Sequence, residues 1–165
     1  MSKVDVTFTV NGKVRMVSTE PHRTLLEILR EDLGLTSVKE GCSQGDCGAC
    51  IVVVDGLAVN SCLVLGPQIE GVEIVTLEGL AQEGKLHPLQ QKFIENWAFQ
   101  CGYCTPGMIM SCYAFLMHNP DPTQDEVREA ISGNLCRCTG YQSIIDAVMA
   151  VCSSSNDHGE ERTFE

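Results

Sequence analysis

Ten cysteines occur in this chain of 165 residues, and eight of them form two groups whose spacing suits metal–sulfur chemistry. Cys42, Cys47, Cys50 and Cys62 make the first group, within a run that reads GCSQGDCGAC from Gly41 to Cys50. Four residues separate the first two thiols and two separate the next pair, the plant-type spacing of a [2Fe–2S] centre. Cys101, Cys104, Cys136 and Cys138 make the second group, a C-x-x-C pair and a C-x-C pair across a long gap. Its different rhythm implies a second, differently built site, and spacing alone leaves a tetrahedral zinc ion as a competitor there.

A [2Fe–2S] centre is anionic in both redox states, so the protein must supply four thiolates and aim backbone N–H groups at the sulfurs. Gly41, Gly45 and Gly48 predict a loop that wraps closely with φ > 0, so that successive amides converge on the first centre. Gly102, Gly107, Gly133 and Gly140 flank the second set in the same way, and Pro106-Gly107 predicts a helix start whose dipole points toward it. Cys112 and Cys152 share apolar helix faces and are expected to be small buried hydrophobes. His22, His87, His118 and His158 show no metal-pair spacing.

The elements around these thiols change character midway along the chain. Val4, Val6, Phe8 and Val10 alternate with polar residues, Asn11-Gly12 supplies a tight turn, and Lys13 to Ser18 returns as a second strand. Thr24 to Glu27 reads as a capping box, opening a helix of about three turns that stops at Gly34. Ile51 to Val54, Asp55-Gly56 and Leu57 to Ser61 predict a further hairpin, and Val72 to Leu77 a last strand. That is the element order of a β-grasp ferredoxin. After Glu78 the apolar period becomes helical, with helices expected over 88–99, 107–118, 124–131 and 141–152. The fold class is thus α+β: a β-grasp plant-type ferredoxin domain over 1–79, an all-α four-helix bundle over 80–153, and a mobile acidic tail over 154–165.

A formal net charge of −11 argues against a nucleic-acid surface, which draws its affinity from clustered Lys and Arg. No segment approaches the apolar length of a membrane span, and MSKVDVTFTV does not read as a secretory signal, so a cytoplasmic chain with reduced thiols is expected rather than a disulfide scaffold. No dinucleotide-binding or phosphate-binding glycine motif is present.

GCSQGDCGAC, QCGYCTPGM from Gln100 to Met108 and GNLCRCTGYQ from Gly133 to Gln142 together resemble the small iron–sulfur subunit of the molybdenum hydroxylases. This is the xanthine dehydrogenase, aldehyde oxidoreductase and carbon monoxide dehydrogenase family. The resemblance implies a [2Fe–2S] cluster on Cys42, Cys47, Cys50 and Cys62, distal from molybdenum and near the flavin, and a proximal one on Cys101, Cys104, Cys136 and Cys138. It also implies that Gln100 and Cys138 contact molybdopterin on a partner subunit. Ile51 departs from the Thr often found there, which touches only a local hydrogen bond. A large molybdenum-binding subunit, a medium FAD-binding subunit and a dimer of heterotrimers are the implied partners. The implied role is relaying electrons from molybdopterin to FAD during hydroxylation of a small substrate, with a lean toward a nitrogen heterocycle. The rival is a free two-cluster ferredoxin that docks transiently with a reductase.

Overall fold

The computed structural model describes residues 2–158, with side chains described through Ser153. Strands β1 (Val4–Val10) and β2 (Lys13–Thr19) form an antiparallel hairpin, turned by Asn11 and Gly12 at φ of +50° and +71°. β3 (Ile51–Val54) and β4 (Leu57–Asn60) form the second, turned by Asp55 and Gly56 at +47° and +82°. Both turns need consecutive residues with φ > 0, which Asn-Gly and Asp-Gly tolerate. β5 (Glu73–Val75) lies between them, parallel to β1 and antiparallel to β3, giving the sheet order β2-β1-β5-β3-β4.

The helix expected after Thr24 is shorter and wider than its apolar stripe implies. The capping box is formed, but α1 (Leu25–Glu27) passes at once into a π-turn over Ile28–Asp32, with Leu33 N–H bonded to the Ile28 carbonyl at 3.2 Å. The wider turn still buries Leu25, Leu26, Ile28 and Leu29 beneath Val6, Phe8 and Val10 of β1.

The last strand ends at Val75 rather than Leu77, and Leu77–Leu80 is a short helix, α2. The bundle helices are α3 (Pro88–Glu95), α4 (Thr105–His118), α5 (Gln124–Ala130) and α6 (Gln142–His158). α3 ends earlier than expected because the chain reverses at Trp97, φ +51°, with Ala98 N–H on the Phe93 carbonyl. α6 runs on through His158, so the first part of the expected tail is helical, and 159–165 lie outside the described residues. No helix among the described residues is long and apolar enough to cross a membrane.

Two apolar cores result, and β3 belongs to both. Val52 is buried with β1 and the Leu25–Leu29 segment, whereas Val53 is buried among α3, α4, α5 and α6. Alternation along one strand therefore seats the bundle on the outer face of the β-grasp sheet. Ile51 packs on that helical side, an apolar contact where a threonine would carry a hydroxyl. The segment from 76 to 87 is fastened as well. Thr76 exchanges two hydrogen bonds with the Asn11 side chain at 2.9 Å each, and the Glu78 carboxylate accepts from Ser37 and Thr76.

Candidate metal centres

The thiols meet in pairs. Cys42 is within hydrogen-bond reach of Cys47, Cys50 of Cys62 and Cys104 of Cys136, while Cys101 and Cys138 have their sulfurs 3.7 Å apart. Among the described residues no three Cys, His, Asp or Glu side chains converge as around a single ion. Paired thiols fit a binuclear centre, in which each iron takes two protein sulfurs, better than a lone tetrahedral zinc. The donor chemistry of both sets therefore fits [2Fe–2S].

Cys42, Cys47 and Cys50 of the first set lie on the loop between the π-turn and β3, and Cys62 lies in the Ser61–Leu63 turn that follows the β3–β4 hairpin. Ser43, Gly45 and Gly48 take φ of +56°, +88° and +68°, which coils the backbone around the sulfurs. Gly41 does not have positive φ; it is required because a Cβ there would stand 2.7 Å from Cys47 Sγ. Backbone amides of Gln44, Cys47 and Asp46 hold the Cys42 thiol down to about 7, a proton-shedding environment suited to a ligand. Cys62 is pushed up to about 11, chiefly by burial and then by Cys50 beside it. A bound cation would reverse that cost by replacing the proton.

The second set is assembled from two segments. Cys101 and Cys104 precede α4, with Cys104 as its N-cap, so the helix starts two residues earlier than the Pro106-Gly107 signal implied. Cys136 and Cys138 lie between α5 and α6. Burial first, then Cys136, pushes Cys104 up to about 12. Burial also opposes ionisation of Cys136, but Thr139 and the Cys138 amide outweigh it and bring that thiol below its ordinary value. Tyr141 Oη accepts from Cys136 N–H at 2.8 Å and donates to the Asn134 carbonyl at 3.2 Å, closing the loop on itself.

The two loops are joined directly. Leu135 N–H donates to the Cys47 carbonyl at 2.9 Å, and the buried Asn134 side chain donates to the Gly48 carbonyl at 3.2 Å. Tyr103 Oη donates to the Glu40 carbonyl. α4 presses Gly107 against the same backbone, where a Cβ would come 2.2 Å from Gly48 O. Asn134, Thr139, Tyr141 and Tyr103 carry no metal-binding signature and escaped the sequence reading, although three of them lie inside or beside the GNLCRCTGYQ run.

Cys101 and Cys138 are exposed, as is Gln100. Nearby in sequence, Trp97, Leu135 and Tyr103 leave 79%, 58% and 49% of their surface exposed. Beside the other set, Leu63 is 59% exposed and its side chain overlies Gly45. Cys112 and Cys152 are buried in the helical core, as their apolar neighbours implied.

Residues 8–75 match the family model of a 2Fe-2S iron-sulfur cluster binding domain, and residues 76–149 that of a [2Fe-2S] binding domain. The nicotinate dehydrogenase small FeS subunit of Eubacterium barkeri is 55% identical over 148 residues, covering 90% of this chain and 94% of the relative. The nicotine 6-hydroxylase small subunit of Paenarthrobacter nicotinovorans is 50% identical over 147 residues, 89% of this chain and 88% of the relative. Among solved structures, quinoline 2-oxidoreductase from Pseudomonas putida 86 superposes with a TM-score of 0.90 at 47% identity, covering 94% of this chain and 98% of the matched one.

Proposed function

This chain belongs to the small [2Fe–2S] iron–sulfur subunits of the molybdenum hydroxylases, the electron-transfer subunits of oxidoreductase complexes, and from that membership we propose that it relays single electrons from molybdopterin on one partner to FAD on another. Cys42, Cys47, Cys50 and Cys62 hold the distal [2Fe–2S] centre, and Cys101, Cys104, Cys136 and Cys138 the proximal one. Each bound centre supplies a one-electron couple. The observation that carries the reading is the direct join between the two cysteine loops, in which Leu135 N–H donates to the Cys47 carbonyl at 2.9 Å.

Exposed thiols beside exposed aromatics support a docked subunit, since apolar side chains at such density mark an interface rather than a free surface. In this reading Trp97, Tyr103 and Leu135 surround the entry, where Gln100 and Cys138 approach the molybdopterin of a large subunit. Leu63 lies at the exit, toward the FAD-binding medium subunit. A dimer of such heterotrimers in the cytoplasm is the expected assembly. The named substrates of the relatives reported above, nicotinate, nicotine and quinoline, are all nitrogen heterocycles and favour that class for this complex.

Cys136→Ser in the purified complex provides the test. Iron should fall from about four to about two per chain, with one of two low-temperature EPR signals lost. Substrate should still reduce molybdenum while flavin reduction slows at least a hundredfold. Flavin reduction at the wild-type rate would sink the relay, as would a wild-type chain that elutes as an 18.0 kDa monomer and serves an external reductase.

A further inference from the structure

Among the described residues, Cys136 is the one thiol of the two sets with a side-chain hydroxyl directed at it. Thr139 Oγ1 lies 3.1 Å from Cys136 Sγ, and the Thr139 amide points to the same sulfur at 3.4 Å. Tyr141 N–H donates to Thr139 Oγ1 at 3.3 Å. A hydroxyl owns one proton, and with Tyr141 N–H occupying a lone pair, that proton is free for the sulfur. Once Cys136 is a thiolate, it can only accept. The backbone arranges this: Gly140 and Tyr141 take φ of +67° and +70°, which folds the chain back so that the Tyr141 amide reaches Thr139.

Among the described residues no side-chain hydroxyl is directed at a sulfur of the first set. The buried Cys50 sulfur has Asn60 Oδ1 at 3.8 Å, while Asn60 Nδ2 donates to the Gly45 carbonyl at 3.2 Å. That side chain turns an oxygen lone pair, not a proton, toward the thiolate.

We propose that Thr139 is a positioning residue that sets the reduction potential of the second centre relative to the first, by donating its hydroxyl proton to Cys136 Sγ. Reduction adds negative charge that the ligand sulfurs share, so a donor to sulfur stabilises the reduced state more than the oxidised one. The Thr139 hydroxyl raises the potential of the centre that receives the electron first. The inference rests on Cys136 being a cluster ligand.

The test is an EPR-monitored redox titration of the intact complex carrying Thr139→Val, which keeps the shape and loses the hydroxyl, beside Thr139→Ser, which keeps the hydroxyl. The signal that disappears in Cys136→Ser identifies the second centre. In Thr139→Val its ratio of reduced to oxidised form at fixed potential should drop about tenfold, a shift of about 59 mV to the negative for a one-electron couple. Thr139→Ser should stay near wild type, and the other signal should not move in either variant. Coincident titrations of Thr139→Val and wild type would overturn the proposal. Should Thr139→Val assemble without its second centre, Thr139→Ala is compared with Thr139→Ser, and equal potentials in those two overturn it. A wild-type chain without two iron–sulfur signals would instead remove the ligand assignment itself.

Discussion

The two cysteine loops solve one problem by different means. In the first, three thiols share one loop and Cys62 returns to it through the adjoining β3–β4 hairpin, while Ser43, Gly45 and Gly48 at positive φ and amides directed at Cys42 coil the backbone around them. The second draws its thiols from two segments separated by α4 and α5, which no hairpin brings together. Side chains do it instead: Tyr141 ties Cys136 to Asn134, and Thr139 reaches back to Cys136. A site closed by a hairpin can be built from backbone conformation, whereas one split between helices is held by hydrogen bonds between side chain and backbone.

Substitutions at the shared face test that contrast most severely. Gly107→Val places carbon into the Gly48 carbonyl, 2.2 Å away, and neither backbone can yield without lifting α4 from β3. A loss of at least about 3 kcal/mol in denaturant unfolding is expected. An unchanged midpoint would mean that the two cores are not rigidly docked. Gly48→Ala should cost about 2–3 kcal/mol, because φ is +68° there and the new Cβ would lie 2.6 Å from the Asn134 amide nitrogen.

Tyr141→Phe sharpens the comparison. It removes the hydroxyl between Cys136 N–H and the Asn134 carbonyl and should cost about 1–2 kcal/mol. Iron should leave the second centre faster during chelation while the first centre holds its iron. Equal loss from both would contradict a loop held by its own side chains.

Glu78→Gln should have the smallest effect, about 1 kcal/mol near neutral pH. Burial alone would raise the Glu78 pKa, but donors from Ser37 and Thr76 overcome it and hold the carboxylate below 4.5. A depressed folded value means that this stability is fully present above the unfolded pKa and lost as pH falls through the folded one. Wild type and Glu78→Gln should therefore differ at pH 7 and converge under acid, as thermal melts across pH would show. A constant difference down to the lowest pH would remove the assignment.

The parts of this molecule governed by neighbouring residues were legible in the sequence. Asn11-Gly12 and Asp55-Gly56 announced both hairpins, Thr24 its capping box, and the cysteine spacings both sets of thiols. The π-turn at Ile28–Asp32 was not, because a helix of either width buries the same apolar stripe. Nor was the length of α6, whose Ser153-Ser154-Ser155 run has weak helix propensity. Asn134 was hidden for another reason. Its partner is the Gly48 carbonyl, 86 residues away, and nothing local in GNLCRC points there.

That distance has a consequence for how the chain is made. Hairpins and helix turns close over a few residues, but the Asn134–Gly48 bond waits until most of the polypeptide has been synthesised and both halves have taken shape, since long loops pay their closure entropy first. The cysteine loops therefore meet last. A fragment cut within 76–87 would keep its own core yet leave the Gly48 carbonyl and the outer face of β3 uncovered. The halves are separate in composition and inseparable in maturation.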